Sequence, residues 1–282
     1  MKHNGKTRLI SFGCSFTAGS ELIDHELLGI SFDECNKIKR QWTADKKTIH
    51  KFEDYVVKQS GITTLEYVQM SSKRSYAAKL ADKLGLEHVN YAIPGAAVDH
   101  MVLDLFREHY TQKINPETDL IFLGITSSHR YLNFIPEKNG VSVSRVMNNM
   151  FFEDADLHYN DYKVMQTYFF ALQNFKNFCI ANNFDFYMQP IHEKHFLFYY
   201  NIHSKSGPGL DIGPMFRDID CNWQYIFTFK KIFEEMMTDS VDSNLSLFYC
   251  KNDDPCGFLH PSEKSHVDFA EKLYVKITNK KN

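Results

Sequence analysis

The chain has 282 residues, 43% of them hydrophobic and 15% aromatic, which is enough to bury a full core and excludes a disordered polymer. Its formal charge is −3, with Lys and Arg scattered, which argues against a mainly electrostatic grip on nucleic acid or an anionic membrane. No apolar run is long enough for a signal peptide or a bilayer span, so a cytoplasmic protein is expected, with neither nucleic acid nor membrane as partner.

The basic stretch Lys2 to Arg8 reads as a solvated tail, as does Lys280-Lys281 at the other end. Leu9 to Gly13 is a short apolar run and the first predicted strand. The region 23–75 mixes charged, aromatic and β-branched residues and is long for a connection. A helix follows at Tyr76 to Leu84, with Ala77, Leu80, Ala81 and Leu84 on one stripe. Leu86 to Ala92 is a weaker strand, and Val98 to Tyr110 a helix with Val98, Val102, Leu105 and Phe106 inward. Asp119 to Ile125 is the clearest strand. After a second long region, 130–160, Tyr162 to Ala181 is an apolar helix and Phe184 to Pro190 a strand. A third insertion, 191–223, precedes the last strand, Leu245 to Tyr249, and a final helix, Ser262 to Ile277, with Val267, Ala270, Leu273 and Val275 or Ile277 inward.

Strand–helix alternation implies right-handed crossovers and a parallel sheet between helical layers. The expected fold is α/β: a three-layer α/β/α sandwich with a mainly parallel, flavodoxin-like five-stranded sheet. No linker divides the chain, so 1–282 reads as one domain carrying the three insertions. All three follow strand C-termini, where open α/β sheets bind ligands. The six cysteines (Cys14, Cys35, Cys179, Cys221, Cys250, Cys256) form no CxxC pair or regular framework and read as reduced thiols.

Chemistry is concentrated at the two ends. In Ser11-Phe12-Gly13-Cys14-Ser15-Phe16-Thr17 the apolar run breaks at glycine and hands over to a serine. That is how a buried strand ends in a tight turn presenting one hydroxyl above the sheet edge. Taken alone, Ser15 reads as a helix N-cap. A histidine able to reach it stands in Gly257-Phe258-Leu259-His260-Pro261-Ser262. Taken alone, His260 is a satisfied polar residue; its pairing with Ser15 is what makes it a base.

The Gly13-Cys14-Ser15-Phe16-Thr17 stretch resembles the first block of the SGNH (GDSL-type) hydrolases. Asn90-Tyr91-Ala92-Ile93-Pro94-Gly95-Ala96 is similar to their second block, and His260-Pro261-Ser262-Glu263-Lys264-Ser265-His266 to their closing block, in the family's order. The resemblance implies a serine esterase or deacylase, with a small-molecule or glycan ester as substrate, an O-acetyl group on a carbohydrate among the candidates. It implies Ser15 as nucleophile, His260 as base, and the backbone N–H groups of Ser15 and Gly95 as an oxyanion hole. No cofactor is expected.

This chain departs from the family pattern at three places. Cys14 replaces the usual aspartate before the nucleophile, a group without an essential chemical role. Gly124-Ile125-Thr126 stands where Gly-x-Asn is usual, so Thr126 becomes the third oxyanion donor. The family acid lies three residues before the histidine, and that position is Gly257. Asp254 is the first choice to orient His260, Asp253 the second and a backbone carbonyl the third. His129 and Arg130 follow the third strand as candidates to hold an anionic group on the substrate, with plain surface exposure as the alternative. His266 is expected to pack or cap.

Cys221, Cys250, Cys256 and His260 fit no zinc spacing, and the His192, His195 and His203 cluster reads as a loop, so no metal is expected. An acyltransferase using the same Ser15 and His260, or a binding protein on a degenerate scaffold, remains as an alternative function. A phosphate-binding loop at Gly13 to Gly19 lacks both the P-loop lysine and GxGxxG spacing. The oligomeric state is not legible.

Overall fold

The computed structural model describes residues 5–44, 49–126, 130–137, 140–147, 157–191, 239–242, 245, 247 and 260–279. The chain begins with β1 (Arg8–Phe12) and a one-turn helix, α1 (Ser15–Ala18). Four helices follow: α2 (Asp24–Leu28), α3 (Phe32–Ala44), α4 (Ile49–Ser60) and α5 (Thr64–Arg74). Then come α6 (Tyr76–Leu84), β2 (Glu87–Asn90), α7 (Val98–Tyr110) and β3 (Asp119–Ile125). An antiparallel hairpin, β4 (Arg130–Glu137) and β5 (Gly140–Met147), precedes α8 (Leu157–Ala181), β6 (Asp185–Pro190) and α9 (Glu263–Asn279).

The molecule is α/β, built on a parallel four-stranded sheet in the order β2-β1-β3-β6. Strand order reverses between β1 and β3, and the crevice beyond their C-terminal ends is where such sheets bind ligands. Helices cover both faces. Phe122 of β3 meets Tyr76 of α6 at 5.9 Å between ring centroids, and Tyr76 meets Phe269 of α9 at 5.0 Å. Ile121, the next residue back, points to the other face beside Phe186, its partner on β6. Phe186 packs 5.7 Å from Phe175 of α8, and Phe178 of α8 lies 4.5 Å from Phe106 of α7.

Most elements follow the local pattern. All seven residues of β3 are buried, as an unbroken apolar run between helical layers requires. The α6 stripe Ala77, Leu80, Ala81 and Leu84 is buried, and Gly85 closes the helix in the left-handed region. A capping box, Thr63 with Glu66, starts α5.

Three expectations change. Two residues of the basic start, expected as tail, are paired within the fold: Lys6 is buried, bonded to the Pro116 carbonyl and 3.2 Å from Asp185. Arg8 grips the fully buried Asp119 with two bonds, 2.7 and 2.6 Å, because that carboxylate at the start of β3 needs a cation. Val267 and Val275 of α9 face outward, 40% and 43% exposed; Phe269, Leu273 and Ile277 set the inward stripe, with His266 on it. The 23–75 insertion is the helical run α2 to α5, with a small core of its own in Ile23, Cys35, Phe52, Val56 and Tyr67. Among the described residues the sheet has four strands. Ser240 makes a single parallel bridge to Met188, and the Leu247 N–H reaches the Ile191 carbonyl at 3.2 Å. The rest of the predicted strand Leu245 to Tyr249 lies largely outside the described residues. So does nearly all of 191–223.

The switch point is packed around one side chain. The Thr17 hydroxyl of α1 lies 2.8 Å from the Tyr76 hydroxyl, and both are buried. A methyl group on Gly124 would stand 2.5 Å from each of those two oxygens, and one on Gly13 would overlap Thr17 itself. The motif threonine is therefore the wedge that requires glycine at both strand ends. Gly124→Ala should destabilise the protein by about 1–3 kcal/mol, seen as a lower urea midpoint with an unchanged slope.

Candidate active site at the β1–α1 turn

Ser15 opens α1 directly beyond β1 and is 8% exposed. Its hydroxyl bonds to no described residue, and its backbone N–H has no described acceptor, as expected for the first helical position. After α1 the chain turns through Gly19, in the left-handed region, and Glu21, a non-glycine residue at φ 69°. That conformation costs an L-residue about 1–2 kcal/mol, and here it serves to aim a carboxylate inward.

The target of that carboxylate is His260. Glu21 Oε1 lies 2.6 Å from His260 Nδ1, and the side chains are 3% and 12% exposed. The imidazole also packs edge-on against Phe16, the residue after Ser15, at 4.9 Å between centroids. The two ends of the chain thus meet at α1. With Nδ1 committed to Glu21, Nε2 is the nitrogen left for a hydroxyl, and it bonds to no described residue.

Glu21 is held from behind. Its Oε2 accepts from Lys39 Nζ of α3 at 3.1 Å, and Lys39 also lies 2.7 Å from Asp24 Oδ2. The Tyr67 hydroxyl of α5 donates to Asp24 Oδ1 at 2.7 Å. Burial alone pushes the Glu21 pKa up, but attraction and hydrogen bonds from His260 and then Lys39 outweigh it and bring the carboxyl down to about 2. Burial pulls the Lys39 ammonium down, yet Glu21 and Asp24 leave it net raised.

The start of α9 is fixed independently. Ser262 caps it, accepting from the Ser265 N–H at 3.3 Å. Arg74 makes two bonds to Glu263, 3.1 and 2.9 Å, and two to Glu26, 3.1 and 3.0 Å, tying α9 to α5 and α2. His266 accepts the Tyr76 N–H at 2.9 Å and so caps α6; burial lowers its pKa to about 3 and keeps it neutral.

Gly95 lies across the crevice. Ile93-Pro94-Gly95-Ala96 closes with the Ala96 N–H on the Ile93 carbonyl at 2.9 Å, and Gly95 has φ 76°, the type II pattern with Pro then Gly. The Gly95 N–H has no described acceptor, and the space where a side chain would stand is open. The Ile93 N–H binds the Gly13 carbonyl at 3.0 Å, joining this turn to the one that carries Ser15. Asn90 makes a second tie. Its Oδ1 accepts from Ser11 Oγ (3.0 Å) and the Ala92 N–H (2.9 Å), and its Nδ2 donates to Ser72 Oγ (2.8 Å) and the Thr17 carbonyl (3.4 Å). Ser11 Oγ lies 2.9 Å from His88 Nε2, and burial lowers the His88 pKa to about 4.

Thr126 follows β3 and is fully buried, its carbonyl accepting from the Tyr168 hydroxyl at 3.1 Å. Arg130 begins β4. His129, Asp253 and Asp254 lie outside the described residues, as do Cys221, Cys250, Cys256, His192, His195 and His203. The carboxylate on His260 Nδ1 is Glu21, which the sequence reading missed. One signal was available: a lone acid inside the small and apolar run Ala18 to Ile23, six residues beyond Ser15. Among the described residues, Cys14, Cys35 and Cys179 are free and buried, and no helix is long and apolar enough to cross a membrane.

Compared with known families and curated proteins, the chain matches no family model and no curated protein. The Glu21 contact has a measurable consequence on its own. A carboxyl held near 2, below its ordinary 4.5, contributes stability that is present above about pH 4.5 and is lost as pH falls toward 2. Between pH 5 and pH 2.5 the wild type should lose on the order of 2–3 kcal/mol more unfolding free energy than Glu21→Gln. Buried His88 and His266 titrate in both proteins, so the difference reports Glu21 together with the groups bonded to it, His260 and Lys39.

Proposed function

We propose that this protein is a serine hydrolase of the SGNH type, cleaving a carboxylic ester through an acyl-enzyme on Ser15. The observation that carries this reading is the buried Glu21–His260 contact, 2.6 Å long, one residue from Ser15 through Phe16. A serine hydroxyl is a weak nucleophile until an imidazole takes its proton during attack. Such an imidazole needs an acceptor on its other nitrogen, which fixes the tautomer and stabilises the imidazolium that forms. Glu21 supplies that acceptor in the role first assigned to Asp254.

In this reading Ser15 Oγ attacks the ester carbonyl while His260 Nε2 takes its proton. The oxyanion is met by the N–H groups of Ser15 and Gly95, with Thr126 as third donor. His260 then protonates the departing alcohol, and a water, deprotonated by the same imidazole, releases the acid. One oxyanion donor is worth on the order of 3 kcal/mol in a dry site. His129 and Arg130, at the outlet of β3, would hold a polar group of the substrate. The substrate class is a small-molecule or glycan ester, with an O-acetyl group on a carbohydrate among the candidates.

Ser15 should react with a fluorophosphonate probe, and Ser15→Ala should abolish labelling with an unchanged melting temperature. Glu21→Gln should slow labelling by about 10²–10⁴-fold, the range seen when the orienting carboxylate of a Ser-His pair is lost. A wild type inert to the probe, beside a control esterase that labels, would refute the acyl-enzyme. Gly95→Ala meets no steric obstacle but carries φ 76°, about 1–2 kcal/mol of strain, so turnover should fall further than stability.

A further inference from the structure

Lys39 has no place in the Ser-His scheme, yet it is among the most deeply buried charges described, 3% exposed. Burial of an ammonium costs several kcal/mol unless partners compensate it. Its partners are Glu21 and Asp24, with the Phe52 ring 5.5 Å away and Cys35 nearby. Facing His260 are Glu21, the Phe16 ring and the buried neutral His266; Glu263, at the start of the same helix, is paired with Arg74 and Lys79.

Counting charges over this cluster is informative. Among the four groups in direct contact, with His260 neutral, the carboxylates Glu21 and Asp24 outnumber the one ammonium, while Glu53 acts on Tyr67 from outside that set. When His260 takes a proton the cluster becomes balanced, two against two. A low-dielectric setting favours that balance, and the balanced state is the one needed when Ser15 is attacking.

Resting on the reading of Ser15 and His260 above, we propose that Lys39 is a positioning residue of the active site: with Asp24 it holds Glu21 on His260 and sets how readily His260 accepts a proton. The helical insertion 23–75 is then part of the machinery, since α3 supplies Lys39, α2 supplies Asp24 and α5 supplies Tyr67 to hold Asp24.

The test is a pair of opposite charge changes with a compensated double variant. Lys39→Met leaves two carboxylates without their ammonium, and His260, the most exposed of the four groups, takes the balancing proton. The acid limb of the labelling rate against pH, and the imidazole titration of His260 followed by NMR, should both move up by about one pH unit. Labelling below the limb should fall about tenfold. Asp24→Asn removes the opposite charge, keeps an acceptor for Tyr67, and should move both curves down by a similar amount. Lys39→Met with Asp24→Asn restores the count and should return both close to the wild-type position. Unchanged curves in Lys39→Met, or in Asp24→Asn should the first variant fail to fold, overturn the proposal. The NMR titration needs no turnover. If His260 responds to these variants in a protein that never labels, the Lys39 assignment stands and the acyl-enzyme reading falls.

Discussion

A carboxylate buried to 3% exposure has to be paired, and that requirement organises the molecule around Glu21. One partner, His260, comes from 239 positions away; the other, Lys39, comes from a helix of the first insertion. Neither suffices alone, because Lys39 is shared with Asp24 and His260 is a cation only when protonated. The turn after α1, the insertion and the C-terminal segment must therefore be in place together. Removing any one leaves a buried charge short of a partner, which is destabilising.

The second constraint is spatial. Thr17 sits where β1 and β3 diverge, and glycines at both strand ends make room for it. Its hydroxyl meets Tyr76, whose own backbone N–H is held by His266 of α9. The turn bearing Ser15, the first core helix and the last helix are thus fixed by a few buried polar contacts within an apolar core. Asn90 and Ile93 extend the same arrangement to the Gly95 turn, so the backbone N–H groups of Ser15 and Gly95, neither with an acceptor among the described residues, share one support. Catalytic groups held by packed elements keep their geometry better than groups on independent loops.

The insertion changes how the departures from the SGNH pattern are read. The closing block lacks its aspartate at Gly257, which by itself suggests a weakened base. Glu21 supplies a carboxylate from the opposite end of the chain. Under the proposed reading, the acid would differ from the family pattern in its origin, while the chemical requirement for one on Nδ1 would be unchanged. The Arg74 bridge from Glu26 to Glu263 has a similar logic, joining the insertion to the helix that follows His260.

The sheet and its helices were readable because their signals are local. β3, α6 and α7 coincide with apolar runs or stripes that lie within a few turns of chain. Ser15, Gly95 and His260 stood out for a related reason, since turn chemistry and motif spacing are also short-range. In α9 Ala270, Leu273 and Ile277 are inward as expected, but Val267 was placed inward because the first inward position is His266, a polar residue made useful only by the N-terminus of another helix. Lys6 and Arg8 looked solvated because their partners, Asp185 and Asp119, are more than a hundred positions away. The same distance hid the acid: a carboxylate's role depends on what burial brings to it, and no local pattern marks Glu21 as the partner of His260. Sequence alone determined the α/β alternation and singled out Ser15 and His260 at its two ends; tertiary packing decided which carboxylate meets His260, because pairing of buried charge is settled only when distant segments close around it.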